Sequence, residues 1–166
     1  MIWKIKATDP LKPRKSYAVR IAWVLAGVMA VMSVAHLIRI DTLIPVVSQT
    51  LPTVAATWFV ALIVTAEVFA LPYLLRAKLS PLFRMISGSL VVFVPLVWTC
   101  FTIWALGDGR STGQLTSYVS TSATWWLVLL NLTWLGVSYW ILWLFNYDES
   151  FAQLRRLVAA RKEKQK

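Results

Sequence analysis

Cysteine, histidine and acidic residues are scarce in this chain, which has one Cys, one His and seven Asp and Glu among 166 residues. The single Cys100 excludes a disulfide within the chain. Without a Cys-x-x-Cys pair, the sequence also lacks the usual motif for thiol exchange or thiolate metal binding, and we expect no metal site. Charged residues make up only 14% of the chain and hydrophobic residues 58%. This balance excludes an ordinary soluble domain.

Long apolar runs are what the sequence has instead. Four of them, at about residues 21–40, 53–75, 85–106 and 122–145, reach the roughly 20 residues needed to cross a hydrocarbon core of about 30 Å. They predict an all-α membrane protein, a four-helix bundle that forms one membrane domain over residues 17–146.

Both ends of the chain are basic. Residues 1–16 contain five Lys and Arg and two prolines, which predicts an irregular tail on the lipid headgroups. In residues 147–166 the apolar side chains fall on one side of a helix and the basic ones occupy the rest. This pattern is typical of an amphipathic helix on a membrane surface, and a docking site for a soluble partner is the alternative.

The connection between the first two spans, residues 41–52, is unusually apolar for a solvated loop. Leu43, Ile44, Val46, Val47 and Leu51 fall within it. We expect this segment to lie on the bilayer surface or against a partner protein.

The distribution of positive charge predicts the orientation. Of the 17 Lys and Arg residues, all but Arg39 and Arg110 lie in the two tails, at the start of the first span or in the connection 76–84. The positive-inside rule therefore predicts that both termini are cytoplasmic, in an inner (plasma) membrane of bacterial type. A net charge of +10 is also found in nucleic-acid-binding proteins. Here membrane orientation accounts for it, and we expect no nucleic-acid partner.

Glu67 is the one acid inside the predicted spans. It lies about eight residues, or roughly 12 Å, from the cytoplasmic end of its helix. An ionised carboxylate at this depth needs a partner or a proton, so Glu67 is a candidate either for function or for fixing the helix register. Arg20, which enters the membrane at the cytoplasmic face, is the partner that the sequence suggests for it.

Other polar residues lie within the spans. His36 shares a helix face with Met29 and Met32, a combination found in haem and copper sites, although a packed histidine is the simpler interpretation. On the fourth span Thr124, Asn131 and Ser138 recur every seven residues, with Asn131 at the depth of Thr99 and Ser138 at that of Glu67. Hydrogen bonds between helices or a quinone or substrate pocket would both fit these positions.

Seven residues together resemble the DoxX and MauE group of four-helix membrane proteins over residues 17–106. The resemblance rests on an arginine that opens the first helix, a glycine, a polar residue near its end, a glutamate in the second helix and a basic connection: Arg20, Gly27, His36, Glu67, Arg76, Lys78 and Arg84. It implies association with electron-transfer or thiol-related complexes, such as a thiosulfate:quinone oxidoreductase.

The sequence thus leads to three functional hypotheses. The first is an accessory or assembly subunit of a membrane complex, with other membrane subunits or further copies of itself as partners besides lipid. The second is a redox subunit that handles quinone near Glu67 and Arg20. The third is a small transporter or proton path through Glu67.

Overall fold

The computed structural model describes residues 8–110, 112 and 125–163, with side chains in the last helix through Arg156 and at Ala159. Most of this part of the chain is helical, and Thr8 and Leu79 form one isolated antiparallel bridge. The helices are α1 (Ala18–Ile38), α2 (Ile40–Val47), α3 (Thr53–Leu74), α4 (Pro81–Gly107), α5 (Trp125–Leu144) and α6 (Tyr147–Glu163).

The four long helices confirm the predicted four-helix membrane protein. Helices α1, α3, α4 and α5 have 20 to 27 residues and mean hydropathies of 1.7 to 2.2. Only 33–44% of each apolar stretch is buried within the chain. Most of the exposed side chains on these helices are apolar, as contact with lipid requires. The protein is therefore an integral membrane protein.

The helix ends follow local chemistry more than hydropathy. Helix α4 begins four residues before the predicted span because the Ser80 hydroxyl accepts a hydrogen bond from the Phe83 amide at 3.2 Å and Pro81 occupies the first turn. Helix α5 ends at Leu144, and the chain turns into α6 at Asn146, which has a φ of +51°. Residues 122–124, including Thr124, lie outside the described residues, as do 1–7.

Most of the apolar connection forms a helix. Residues 40–47 form α2, which packs against α3 and buries Leu43 and Val47 in the protein's own core. The expected contact with the bilayer surface or a partner is thus replaced at these two residues by contact with the same chain. Since only Arg39 separates α1 from α2, the helical chain continues well past the predicted end of the first span.

The core is built mainly around α4, which packs against α3, α5 and α6, while α1 packs against α3 and α5. Alanines such as Ala22 and Ala26 are buried on the inner face of α1. At Gly88 of α4 the backbone lies directly against the Tyr147 ring. Small residues therefore allow the helices to approach closely. In lipid, this close van der Waals contact is a main source of the stability of helix association.

The described part of the N-terminal tail crosses one end of the bundle. Arg84 Nη2 donates to the Thr8 carbonyl, the Thr8 hydroxyl and the Asp9 carbonyl at 2.7–3.0 Å. The Arg14 amide donates to the Leu144 carbonyl at 2.8 Å. We call this end, formed by residues 8–17, 75–84 and 145–150, the basic end. Residues 8–17 are thus held on the bundle by hydrogen bonds and form no helix or strand apart from the Thr8 bridge, as expected for an irregular tail. Contact of the tail with lipid headgroups stays a prediction.

Candidate functional site

Three helices bring His36, Glu67 and Trp98 together inside the bundle. His36 Nδ1, from α1, lies 3.1 Å and 3.0 Å from the two carboxylate oxygens of Glu67, from α3. Trp98 Nε1, from α4, donates to Glu67 Oε1 at 3.3 Å. The imidazole and indole rings lie 5.5 Å apart at an angle of 36°. We call this cluster the polar trio.

The trio is isolated from solvent. His36 is 2% exposed, and Glu67 and Trp98 are fully buried. A charge at such a site is stable only with a close counter-charge or hydrogen bonds, and both His36 and Trp98 lie within hydrogen-bond distance of the Glu67 carboxylate. One proton can lie on either partner without changing the net charge of the core. On the carboxylate it gives a neutral pair, and on the imidazole it gives an ion pair. A second proton, or the loss of the first, places one net charge in the bundle.

The pairing of Glu67 with His36 differs from the predicted pairing with Arg20. Arg20 is exposed in the first turn of α1 and has no bond to Glu67. Sixteen residues at 100° per residue separate Arg20 and His36 by 160° around α1, so an inward His36 turns Arg20 outward. His36 lies in the last turn of α1, near the end of its helix as the sequence indicates, and it is buried there. Helix α2 follows and packs on α3, so His36 lies inside the protein.

The other predicted site residues do not contact Glu67. Thr99 donates its hydroxyl to the Pro95 carbonyl of its own helix at 2.6 Å. Asn131 Nδ2 instead donates to the Thr102 hydroxyl at 3.0 Å, which joins α5 to α4 as expected for a bond between helices. The Ser138 hydroxyl is fully buried and has no partner among the described residues.

Trp98 and Thr102 are the site residues that sequence reasoning missed. Trp98 is the largest fully buried side chain among the described residues. Its signal was present, because a tryptophan at the middle of a span is remote from the interfaces that tryptophans prefer, and a buried indole N–H needs an acceptor. Thr102 follows one turn later and donates to the Trp98 carbonyl at 2.7 Å, so it links the trio to Asn131 through α4.

Among the clefts that the described residues form, two large ones open on the outside of the bundle, away from the trio. One, of 460 Å³, lies between α1 and α5 and is almost wholly apolar; it is lined by Val24, Gly27, Val28, Val31, Met32, Leu130 and Trp134. The second, of 600 Å³, lies at the basic end and is lined by Arg14, Ser89, Val92, Tyr139, Leu142, Trp143, Tyr147 and Asp148. We call the second one the basic-end cleft.

The trio suits proton transfer better than metal binding. Across the residues that the structure describes, no three His, Cys, Asp or Glu side chains stand close enough to hold a metal ion. Cys100 is exposed on the outside of α4. Imidazole and carboxylate in hydrogen-bond contact exchange a proton readily, and the indole N–H of Trp98 donates to the same carboxylate.

Comparisons with family models, with curated proteins and with solved structures each give no match.

Proposed function

We propose that this protein is an accessory subunit of a membrane complex, in which the pair of His36 and Glu67 accepts and returns a proton during the reaction of a partner subunit. The observation that carries the proposal is the buried hydrogen-bonded contact of 3.0 Å between an imidazole and a carboxylate in a lipid-embedded bundle. Ionisable residues within membrane spans are rare and are concentrated on ion and proton pathways.

The chemistry of the pair supports a helper role. An imidazole and a carboxylate move protons but not electrons, so they serve a redox reaction as proton donor or acceptor while another component carries the electrons. The resemblance to the DoxX and MauE group, which is itself a proposal, points to the same kind of complex. The quinone hypothesis loses its suggested pair, because Arg20 is remote from Glu67.

Orientation and location are part of the proposal. The basic end contains Lys12, Arg14, Lys15, Arg76 and Lys78. We propose that this end faces the cytoplasm of a bacterial cell, on the basis of the positive-inside rule. Extraction in mild detergent, followed by cross-linking and mass spectrometry, tests the subunit role. The protein is expected to co-purify with one partner in a fixed ratio, and recovery of this chain alone would contradict the proposal.

The proton role is tested by infrared spectroscopy of the purified protein in nanodiscs. The carboxyl band of Glu67 should change with pH while the helices stay folded, disappear in Glu67→Gln and shift in His36→Gln. Asp41→Asn is the matched control, because Asp41 is an exposed acid on α2 and its loss should leave that band in place. A Glu67 carboxyl that keeps one protonation state at every pH at which the bundle is folded would refute the role.

The Glu67→Gln variant also separates a proton role from a purely structural one. If the pair handles protons, the variant assembles with its partner and the partner's reaction slows. If the pair only holds α1 against α3, the variant fails to assemble, or assembles and leaves the reaction unchanged. Proton flux by the purified chain alone in proteoliposomes, abolished by Glu67→Gln, would instead identify a transporter.

A further inference from the structure

The basic-end cleft carries two opposite charges that do not pair with each other. Arg14 and Asp148 both line it, yet they form no ion pair within 4.0 Å, although Asp9 with Lys78 and Asp108 with Arg110 do. Both side chains are exposed at the cleft, and the Arg14 contacts run through Nε and the face of the guanidinium. Among the described residues, neither the Nη groups of Arg14 nor the Asp148 carboxylate has a hydrogen-bond or ion-pair partner. Two unpaired opposite charges on the walls of one cleft indicate a ligand that bears both.

Arg14 is held in place by its surroundings. Its backbone amide donates to Leu144, its Nε donates to Asn146 Oδ1, and its guanidinium stacks over the Trp143 ring at 4.6 Å from the centroid. Cation–π stacking and the bond from Nε fix the plane of the guanidinium and leave its Nη edge for a second partner. A planar fork of this kind matches the oxygens of a phosphate group.

Most of the remaining wall is apolar and belongs to the membrane spans; the exceptions are Ser89 and, from α6, Tyr147, whose hydroxyls bond each other at 2.7 Å. Val92 comes from α4, while Tyr139, Leu142 and Trp143 come from α5. Arg14 and Asp148 lie outside the spans, at the end of the bundle. A hydrocarbon chain along the apolar wall would place its polar group beside the two charges. A free phosphate ion would make no use of this apolar wall.

We propose that the basic-end cleft binds a phospholipid whose headgroup contains both a phosphate and a primary amine, as phosphatidylethanolamine does. The phosphate lies on the Nη groups of Arg14, the ammonium on Asp148, and an acyl chain along Val92 and Leu142. Phosphatidylglycerol would satisfy Arg14 but leave Asp148 facing a headgroup without a cation. The proposal is independent of the proton role of Glu67.

Native mass spectrometry of the delipidated full chain in detergent tests this proposal. Phosphatidylethanolamine should bind about tenfold more tightly than phosphatidylglycerol with the same acyl chains. Arg14→Gln should weaken both lipids. Asp148→Asn should remove the preference for the amine lipid while retaining binding, and this variant keeps every contact of Arg14 that holds the tail. Arg156→Gln, which removes an exposed cation of α6 outside the cleft, is the matched control.

Two outcomes would overturn the lipid site. One is equal binding of the two lipids by the unmodified chain, which would mean that Asp148 does not read the headgroup. The other is a lipid preference that survives both Arg14→Gln and Asp148→Asn, which would locate the site elsewhere. Soluble phosphoethanolamine, tested alone, should bind far more weakly than the lipid, and equal binding would show that the apolar wall plays no part.

Discussion

Breaking the contact between His36 and Glu67 should destabilise the bundle by a modest and measurable amount. Glu67→Leu removes the carboxylate that bonds His36 and Trp98 at 3.0 and 3.3 Å. In a water-soluble core, removal of one partner from a buried ion pair costs about 3–5 kcal/mol. In a membrane, a hydrogen bond between helices averages about 0.6 kcal/mol and reaches about 1.7 kcal/mol, because the separated helices find other polar partners.

The membrane values apply here, since the helices stay in lipid when they separate. Two lost bonds then predict a decrease in the free energy of unfolding of about 1–3 kcal/mol for Glu67→Leu. Glu67→Gln should lose less than about 1 kcal/mol, because its amide oxygen still accepts from Trp98.

A double-mutant cycle isolates the pair. His36→Leu, Glu67→Leu and the double variant are unfolded by SDS in mixed micelles, with helix loss followed by circular dichroism. The double variant should be more stable than the sum of the single effects predicts, by about 1 kcal/mol, because neither polar group is left alone. Thr133→Val is the control, since its hydroxyl bonds only within α5. Single effects that add within about 0.5 kcal/mol would refute the coupling on which the proposed site depends.

Three further predictions concern the basic end. Gly88→Ala should lower the free energy of unfolding by about 1–3 kcal/mol, because the added Cβ would lie 2.4 Å from the Tyr147 ring. Gly136→Ala is the control, because a Cβ at Gly136 would meet no atom within 4 Å. Equal effects of the two changes in SDS unfolding would contradict this packing. Burial raises the pKa of Tyr147 in the folded protein above its ordinary value of about 10. The neutral hydroxyl therefore contributes its full share to the free energy of unfolding below about pH 10, and this contribution is lost as the pH rises further. Melting temperatures at pH 9 and 11 should therefore fall less in Tyr147→Phe, and an identical fall would count against it. Arg84→Gln should release the tail and speed tryptic cleavage after Lys15, which Arg20→Gln should leave unchanged; unchanged cleavage in both would mean that Arg84 does not hold the tail.

Much of the architecture could be read from hydropathy because lipid imposes a simple length rule. Each long apolar run became a helix, with ends within a few residues of the prediction. The errors occurred where local chemistry replaced hydropathy. The Ser80 cap and Pro81 start α4 early, and the apolar segment 41–52 includes a helix that packs on α3.

The sequence by itself determined that Glu67 is an exceptional residue, because a carboxylate surrounded by some twenty apolar neighbours along the chain must find a partner or a proton. It also determined that Arg20 and His36 face different ways, since helical periodicity fixes their angle. The identity of the partner was decided only by the tertiary structure. His36 and Trp98 are each 31 residues from Glu67 along the chain. Their contact with Glu67 depends on the relative positions of α1, α3 and α4 along the bundle axis. These relative positions are set by side-chain packing between helices, and the hydropathy of a single helix does not determine them.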